Sequence, residues 1–389
     1  MEFAFTDDQR ELAAAVRQVL ERECTPADLR VLHEASTPDP AAVGGDAGRR
    51  SRERWRVLAE LGATGLLAPE GAGGLGLDDV ALVGVLEEAG RAALPEPLAE
   101  TAGLVVPVLA GLLERATPSG PVDGDRVERT LATLAGGGSV ATVGGVDAGR
   151  RHPVVTTENG VTPRVVATGL ADVAVLVAGG RDGGGPEVHL VDGTAAHTVT
   201  TPSLDRSRRL GRWEWTPDPA TRLSAGEDAV DLLAELADRG AVTAAAQLLG
   251  LADRMITMSA AYAVDRYQFG RPIGSFQAVK HQLADARVRL EFARPATYRA
   301  AESFARRRPG RSVDAAMAKS LASDAADVAS RVALQVHGAI GYTFECDLHL
   351  FMKRAWALSA SWGDAVTQRA RVLAQVLADR RGRPAAAGG

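Results

Sequence analysis

The chain has 389 residues, enough for two or three domains with a large core, and its 49 acidic and 44 basic side chains give a formal net charge of −5. With an isoelectric point near 5.9 and charges of both signs interspersed, it has no basic footprint of the kind that binds nucleic acid. Two cysteines without a CxxC pair argue against a disulfide framework or a zinc site, and the apolar runs are too short for a bilayer. We therefore expect a cytoplasmic protein with no metal centre, no nucleic-acid partner and no membrane partner.

Residues 1–135 are predicted to form an all-α N-terminal domain. Thr6 and Gln9 have capping-box spacing at the start of a helix whose apolar residues recur on one face. Residues 36–48 are rich in proline, alanine and glycine and predict a loop. A glycine-dense turn at residues 68–77 lacks the preceding strand and the Gly-Lys-Ser/Thr of a P-loop, and helices are predicted after it at 79–93 and 104–113.

Residues 136–222 have a different texture and predict a small antiparallel β domain. Runs rich in valine and threonine alternate there with glycine clusters. Trp213 and Trp215 alternate within one run, which favours core or interface positions. The predicted strands cover residues 139–143, 153–157, 161–167, 173–178, 187–191, 198–201 and 211–216.

Residues 223–380 are helical in pattern and predict a C-terminal four-helix bundle, with breaks near Gly270, Pro309 and Gly338. The low-complexity tail, 381–389, is predicted to be disordered. The predicted fold class is therefore α+β and multidomain, with helices on either side of a small β domain.

The most informative stretch is residues 265–281, DRYQFGRPIGSFQAVKH. Gly270 and Pro272 interrupt two long apolar-periodic runs, which predicts two helices joined by a short loop. A guanidinium, an aromatic ring and free backbone amides at such a turn suit an anionic ligand with a flat heterocycle, such as a nucleotide diphosphate. The alternative interpretation is a polar helix corner packed against its neighbour.

This stretch resembles the Arg-x-x-Phe-Gly-x-x-x-x-x-x-Gln signature of the acyl-CoA dehydrogenase family of flavoenzymes. The order of landmarks from Phe5 to about Arg371 is also similar to that family. The resemblance implies the three-domain fold, FAD as cofactor, α,β-dehydrogenation of an acyl-CoA substrate, and electron-transfer flavoprotein as acceptor. In that family a carboxylate base removes the α proton, and a neighbouring subunit holds the adenosine-diphosphate half of FAD.

The residues that match the neighbouring-subunit contacts are present. The resemblance assigns FAD contacts to Arg266, Gln268, Phe269 and Gln277. The run 335–341 resembles the family's Gln-x-x-Gly-Gly-x-Gly loop and adds Gln335, Gly338, Ala339 and Gly341. Ala339 replaces the second glycine, and its methyl group could crowd the approach of a phosphate. If the resemblance is set aside, Gly338 and Gly341 predict a simple helix break.

The residues that should hold the flavin ring and the base are missing. The family's Thr-Glu-Pro-x-x-Gly-Ser motif has no counterpart in residues 142–149, and its Trp-Ile-Thr motif is absent. The two positions that correspond to the family's catalytic glutamate are Trp362 and Gly240, neither of which titrates near neutral pH. The indole would also fill space where an acyl chain should lie.

Other titratable groups are weaker candidates. Asp364, at the position of a family threonine that touches FAD, and Glu345 are the remaining candidates for a base, against a capping or solvated role. His281, His337 and His349 lack triad or metal partners at useful spacing, which favours structural roles.

Three hypotheses follow. The chain supports a homologous catalytic subunit, as a dimer or α2β2 heterotetramer, by completing its FAD site. Alternatively, it is a self-sufficient FAD enzyme with a displaced base. A third alternative is a non-catalytic scaffold that has lost FAD.

Overall fold

The computed structural model describes residues 5–34, 46–115, 123–150, 152–180 and 184–382. Within these ranges it confirms the predicted fold class, with helices at both ends and small sheets between them. No helix in the described ranges has the length and apolar character required to cross a bilayer.

The N-terminal part consists of six α-helices and a π-helical segment at Ala99–Val105. Thr6 and Gln9 form the predicted capping box at the start of the first helix. Of the loop predicted at 36–48, residues 36–45 lie outside the described residues. Residues 46–48 are helical, because the third helix begins at Asp46. The glycine-dense turn is present, with Gly73 in the left-handed region. The helices are α1 (Asp7–Glu23), α2 (Pro26–Glu34), α3 (Asp46–Glu60), α4 (Asp79–Arg91), α5 (Val106–Arg115) and α6 (Gly124–Ala135).

The middle part contains all seven predicted strands and two further ones, Val146–Asp147 and Arg222–Ala225. The strands are β1 (Ala141–Gly144), β2 (Val146–Asp147), β3 (Val154–Val155), β4 (Val161–Val165), β5 (Val173–Gly179), β6 (Pro186–Asp192), β7 (His197–Thr200), β8 (Gly211–Glu214) and β9 (Arg222–Ala225). They form sheets in the orders β1-β5-β6-β9, β4-β8-β7 and β2-β3.

One pairing differs from the predicted antiparallel arrangement: β1 runs parallel to β5. The connection between these strands crosses over through the β2-β3 ribbon and β4, and such long connections are what parallel pairing requires. Trp213 and Trp215 lie in the core, as predicted, and their indole N–H groups donate to Thr168 and Thr162.

The C-terminal part begins directly after β9 with a helix of 40 residues. Helices α7, α8 and α9 pack on one another, α10 packs on α7 and α9, and α11 packs on α9. The last helix continues through Gly382, so the predicted disordered tail does not begin at 381, and residues 383–389 lie outside the described ranges. The elements are α7 (Gly226–Asp265), β10 (Tyr267–Gln268), β11 (Arg271–Pro272), α8 (Gln277–Ala305), α9 (Arg311–His337), α10 (Leu348–Ala360) and α11 (Ala365–Gly382).

A buried ion pair ties the three parts together. Arg354 on α10 contacts Asp205 from the middle part, and it also donates to Ser207 Oγ at 2.7 Å and to the Leu94 carbonyl at 2.6 Å. Burial alone would raise the pKa of Asp205, but the charge of Arg354 and several hydrogen bonds hold it well below its usual range. Removing one partner of such a pair leaves an uncompensated buried charge.

Candidate functional site

Between α7 and α8 the chain forms a two-stranded hairpin in which β10 pairs with β11. Phe269 and Gly270 both have positive φ, 53° and 76°, as the type I′ turn of a tight hairpin requires. The Phe269 side chain is 92% exposed, and its ring centroid lies 6.2 Å from that of Phe276. An aromatic ring held this far into solvent is typical of an interaction surface.

The other polar residues predicted to contact FAD surround this turn. Arg266, Gln268 and Gln277 are all exposed. Within the described part of the chain, Arg266 forms no ion pair, so its guanidinium can still bind an anion. The hairpin and the start of α8 therefore present exposed cations, rings and amides: Arg266 and Arg271, Tyr267 and Phe269, and Gln268 and Gln277.

The predicted glycine loop begins where α9 ends. Gly338 caps the helix with φ 62° and ψ −138°, a conformation that favours glycine. Gln335 and Ala339 are exposed, whereas Gly341 is buried against the helix end, where an added Cβ would lie 3.0 Å from His337 Cβ. The Ala339 methyl group therefore faces solvent and not the core.

The hairpin and the glycine loop lie at the same end of the C-terminal helices. Tyr262, in the last turn of α7, stacks on His337, in the last turn of α9, with ring centroids 4.5 Å apart and planes 20° apart. His337 Nδ1 also contacts the Ala333 carbonyl at 2.8 Å, a contact that holds the ring against its own helix. We call the surface formed by residues 266–277 and 335–341 the hairpin–loop end.

The two base positions, far apart in sequence, meet in space. Gly240 is buried in the middle of α7, and the Trp362 indole lies directly over its Cα. A Cβ added at Gly240 would lie only 2.6 Å from Cε2 of the indole. The ring therefore occupies the space that a side chain from position 240 would need, and no carboxylate occupies either position.

Two buried side chains, Gln368 and Lys319, hold the backbone around Trp362 in place. Trp362 has φ 56°, a strained value for a bulky residue. The buried Gln368 amide donates to the Trp362 carbonyl at 2.6 Å. The Lys319 ammonium donates to the Gly363 and Ser359 carbonyls and to Ser323 Oγ at 3.0–3.1 Å. Because Lys319 is fully enclosed, burial lowers its pKa to about 7.

The region that corresponds to the missing flavin motif packs against this same segment. A Cβ added at Gly363 would lie 2.8 Å from the Ala148 carbonyl. Thr367 Oγ1 donates to the Gly149 carbonyl at 3.3 Å. Residues 146–149 thus lie on the start of α11, beside the Trp362 segment. We call residues 146–149, Gly240 and 362–367 the filled pocket.

The two other candidate carboxylates lie at a helix cap and at an exposed position. Asp364 Oδ1 accepts the Thr367 N–H at 2.8 Å and caps α11, and this hydrogen bond lowers its pKa, the opposite of what a general base requires. Glu345 is exposed between the glycine loop and α10, and neighbouring Asp347 pairs with Arg30 at 2.6 Å. The described residues contain no group of three potential metal ligands.

Sequence reasoning missed three residues that organise these regions: Tyr262, Lys319 and Gln368. Tyr262 carries no motif signal, and a lysine or glutamine in a helix is ordinarily read as a surface residue. Only the three-dimensional packing shows that all three hold the loops in place.

Comparison with known proteins agrees with this fold. Residues 6–111 match the acyl-CoA dehydrogenase N-terminal domain, and residues 231–377 match the acyl-CoA dehydrogenase C-terminal domain. The chain is 30% identical to acyl-CoA dehydrogenase IpdE2 of Mycolicibacterium smegmatis over 375 residues, which cover 95% of this chain and 99% of that protein.

Two solved structures of two-component enzymes are also similar. The ChsE4-ChsE5 complex from Mycobacterium tuberculosis contains a chain with a TM-score of 0.79 and 25% identity, covering 99% of this chain and 100% of that one. A variant of the Tcur3481-Tcur3483 steroid ACAD gives a TM-score of 0.78 and 26% identity, with coverage of 97% and 99%. Similarity along nearly the whole length shows that this chain belongs to the acyl-CoA dehydrogenase family, oxidoreductases that act on CH–CH groups and whose members bind FAD.

Proposed function

We propose that this chain is the supporting subunit of a heteromeric acyl-CoA dehydrogenase. It completes the FAD site of a homologous catalytic subunit, and it performs no proton abstraction itself. The observation that carries the proposal is the contact between Trp362 and Gly240, which fills the base position with an indole ring.

The residues of the hairpin–loop end fit the adenosine-diphosphate half of FAD. Arg266 and Gln335 are exposed beside a glycine-capped helix end, and the Phe269 ring stands free in solvent, so a diphosphate and an adenine could be held there. The filled pocket does not fit the isoalloxazine half. Bound FAD supplies the hydride acceptor, and in this arrangement the α-proton base comes from the catalytic subunit.

The similar two-component structures support a homologous partner, and the steroid ACAD among them makes bulky steroid-type acyl-CoA thioesters the substrate class we favour. A self-sufficient enzyme is less well supported, because the carboxylate nearest the base position, Asp364, caps a helix and has a lowered pKa. Electron-transfer flavoprotein remains the acceptor that the family implies.

The test is flavin retention by the chain alone and after mixing with a homologous subunit that carries the glutamate, such as one encoded by an adjacent reading frame. We expect a colourless, inactive isolated chain and a yellow, active mixture. A yellow, active homo-oligomer of the isolated chain contradicts the proposal.

The mixture also tests the assigned contacts. Arg266→Ala and Phe269→Ala should each reduce flavin affinity of the assembly at least tenfold, because both groups are exposed in the isolated chain and become useful only at the interface. Arg129→Ala is the matched control, since Arg129 is an exposed arginine on α6, outside the hairpin–loop end. Equal effects of Arg266→Ala and Arg129→Ala would exclude this role for Arg266.

A further inference from the structure

A second cavity lies away from the filled pocket, where α2, the turn at residues 203–206 and α10 come together. Its volume is about 530 Å³, within the range of sites that hold small organic molecules. The residues that line it are Arg30, His33, Ser203, Leu204, Arg206, Phe344, His349 and Lys353.

The wall of this cavity is basic. None of the eight lining residues is acidic, and three of them are arginine or lysine: Arg30, Arg206 and Lys353. The two carboxylates behind the wall are already engaged: Asp205 with Arg354 and with His33 at 3.4 Å, and Asp347 with Arg30 at 2.6 Å. The local field therefore favours an anion.

Lys353 is the cation best placed to bind it. Its ammonium lies 5.0 Å from the centre of the Phe344 ring, and the described part of the chain provides no carboxylate within ion-pair distance. Burial and the nearby charge of Arg206 lower the pKa of Lys353, as expected for a partly desolvated cation without a counter-ion. An anion in the cavity would supply that counter-ion.

The rim and one wall are apolar and aromatic. Phe344 is 78% exposed and Leu204 56% exposed, which is unusual for residues beside a cavity. The His349 ring meets Phe344 edge-on at 5.1 Å, and burial together with Lys353 lowers its pKa to about 4, so the imidazole is neutral at pH 7. These rings suit a flat heterocycle.

We propose that this cavity binds a small organic phosphate with a flat ring, of the nucleoside-monophosphate class. Lys353 with the neighbouring arginines would hold the phosphate, and Phe344 would contact the ring. This site uses none of the residues of the hairpin–loop end, so it stands independently of the proposed function.

The experiment titrates the full-length chain with AMP and, separately, with inorganic phosphate, by calorimetry at low salt. Saturable AMP binding is expected, and Lys353→Met should weaken it at least tenfold. Arg129→Met, which removes an exposed cation from α6, should leave the affinity within twofold of the original. Phe344→Ala, a change at an exposed side chain that the fold tolerates, should weaken AMP binding while leaving phosphate binding unchanged.

Two outcomes overturn the proposal. The first is the absence of saturable AMP binding at millimolar concentration. The second is AMP binding that Arg266→Ala abolishes and Lys353→Met does not, which would assign the nucleotide to the hairpin–loop end.

Discussion

The resemblance to the family's motifs assigns the hairpin–loop end and the filled pocket to two halves of one FAD site, and the two regions differ in exposure and packing. At the hairpin–loop end, side chains suited to a dinucleotide stand in solvent with few internal partners, as the Phe269 ring does. In the filled pocket, the Trp362 indole occupies the space that a side chain at position 240 would need. On the proposed function, the difference means that this chain contributes to a neighbour's cofactor site through one region while the other region is packed.

Packing energetics explain why the contact between Gly240 and Trp362 is stable. A glycine within a helix costs roughly 1 kcal/mol relative to alanine. At Gly240 that cost is offset, because the missing side chain lets the Trp362 indole pack against an apolar cluster that includes Val143 and Leu236. The filled pocket is thus a well-packed part of the fold.

The largest expected effect concerns this contact. Gly240→Ala should lower the free energy of unfolding by roughly 1–3 kcal/mol, as overpacking does, because the new methyl group collides with the indole. In a Trp362→Gly background the same change should instead stabilise the helix by about 0.5–1 kcal/mol. Urea unfolding of the four proteins of this double-mutant cycle measures the coupling.

A coupling energy near zero would show that the two positions do not touch, and the filled pocket would then have to be open. A Thr130→Ala control on α6 should show no coupling to Trp362→Gly, because that residue lies outside the filled pocket.

The next effect concerns the lysine that fastens the filled pocket. An unfolded lysine has a pKa near 10.5, whereas buried Lys319 has one of about 7. Below pH 7 Lys319 is charged in both the folded and the unfolded state, and the folded state is destabilised by burying that charge. Between pH 7 and 10.5 the side chain is mostly neutral in the folded state and mostly protonated in the unfolded state. The free energy of unfolding should therefore rise with pH in this window, on the order of 1–3 kcal/mol.

Urea unfolding at several pH values, with Lys319→Met as the comparison, isolates this contribution. The free energy of unfolding of the unmodified protein minus that of Lys319→Met should increase from pH 7 to pH 10. The raised pKa of Cys24, about 12 because of burial, affects both proteins equally and cancels. A constant difference would mean that Lys319 keeps an ordinary pKa.

The smallest effect sharpens the description of the hairpin–loop end. Tyr262→Leu removes the stacking on His337 and should cost about 1 kcal/mol of stability, as the loss of an aromatic pair does. If the stack aligns the hairpin with the glycine loop, Tyr262→Phe should retain the flavin affinity of the assembly and Tyr262→Leu should reduce it several-fold. Equal flavin affinity in both variants would limit the stack to a structural role.

Much of the fold was predictable, because local signals and tertiary structure agree. The Thr6 capping box, the Gly270 turn and the valine-rich runs occur where their patterns predict. The parallel pairing of β1 with β5 was not predictable, because strand spacing along the chain does not encode the direction of pairing. The early start of α3 at Asp46 was hidden by a glycine- and alanine-containing stretch.

The candidate site was also predictable only in part. Motif residues such as Arg266 and Gln335 lie on the surface predicted for them, and their contact with FAD remains a prediction. The residue types at 240 and 362 predict that the base is missing, and this also remains a prediction. That these positions pack against each other depends on long-range packing, which a single sequence does not reveal.

The interlocking of Gly240 and Trp362 has a consequence for restoring a base to this chain. A glutamate introduced at 240 would collide with the indole. A glutamate introduced at 362 would still lie in the segment that packs against residues 146–149. We therefore expect that neither Gly240→Glu nor Trp362→Glu alone creates a reactive centre in this chain. On the proposed function, this packing is the feature that makes the polypeptide depend on a catalytic partner subunit.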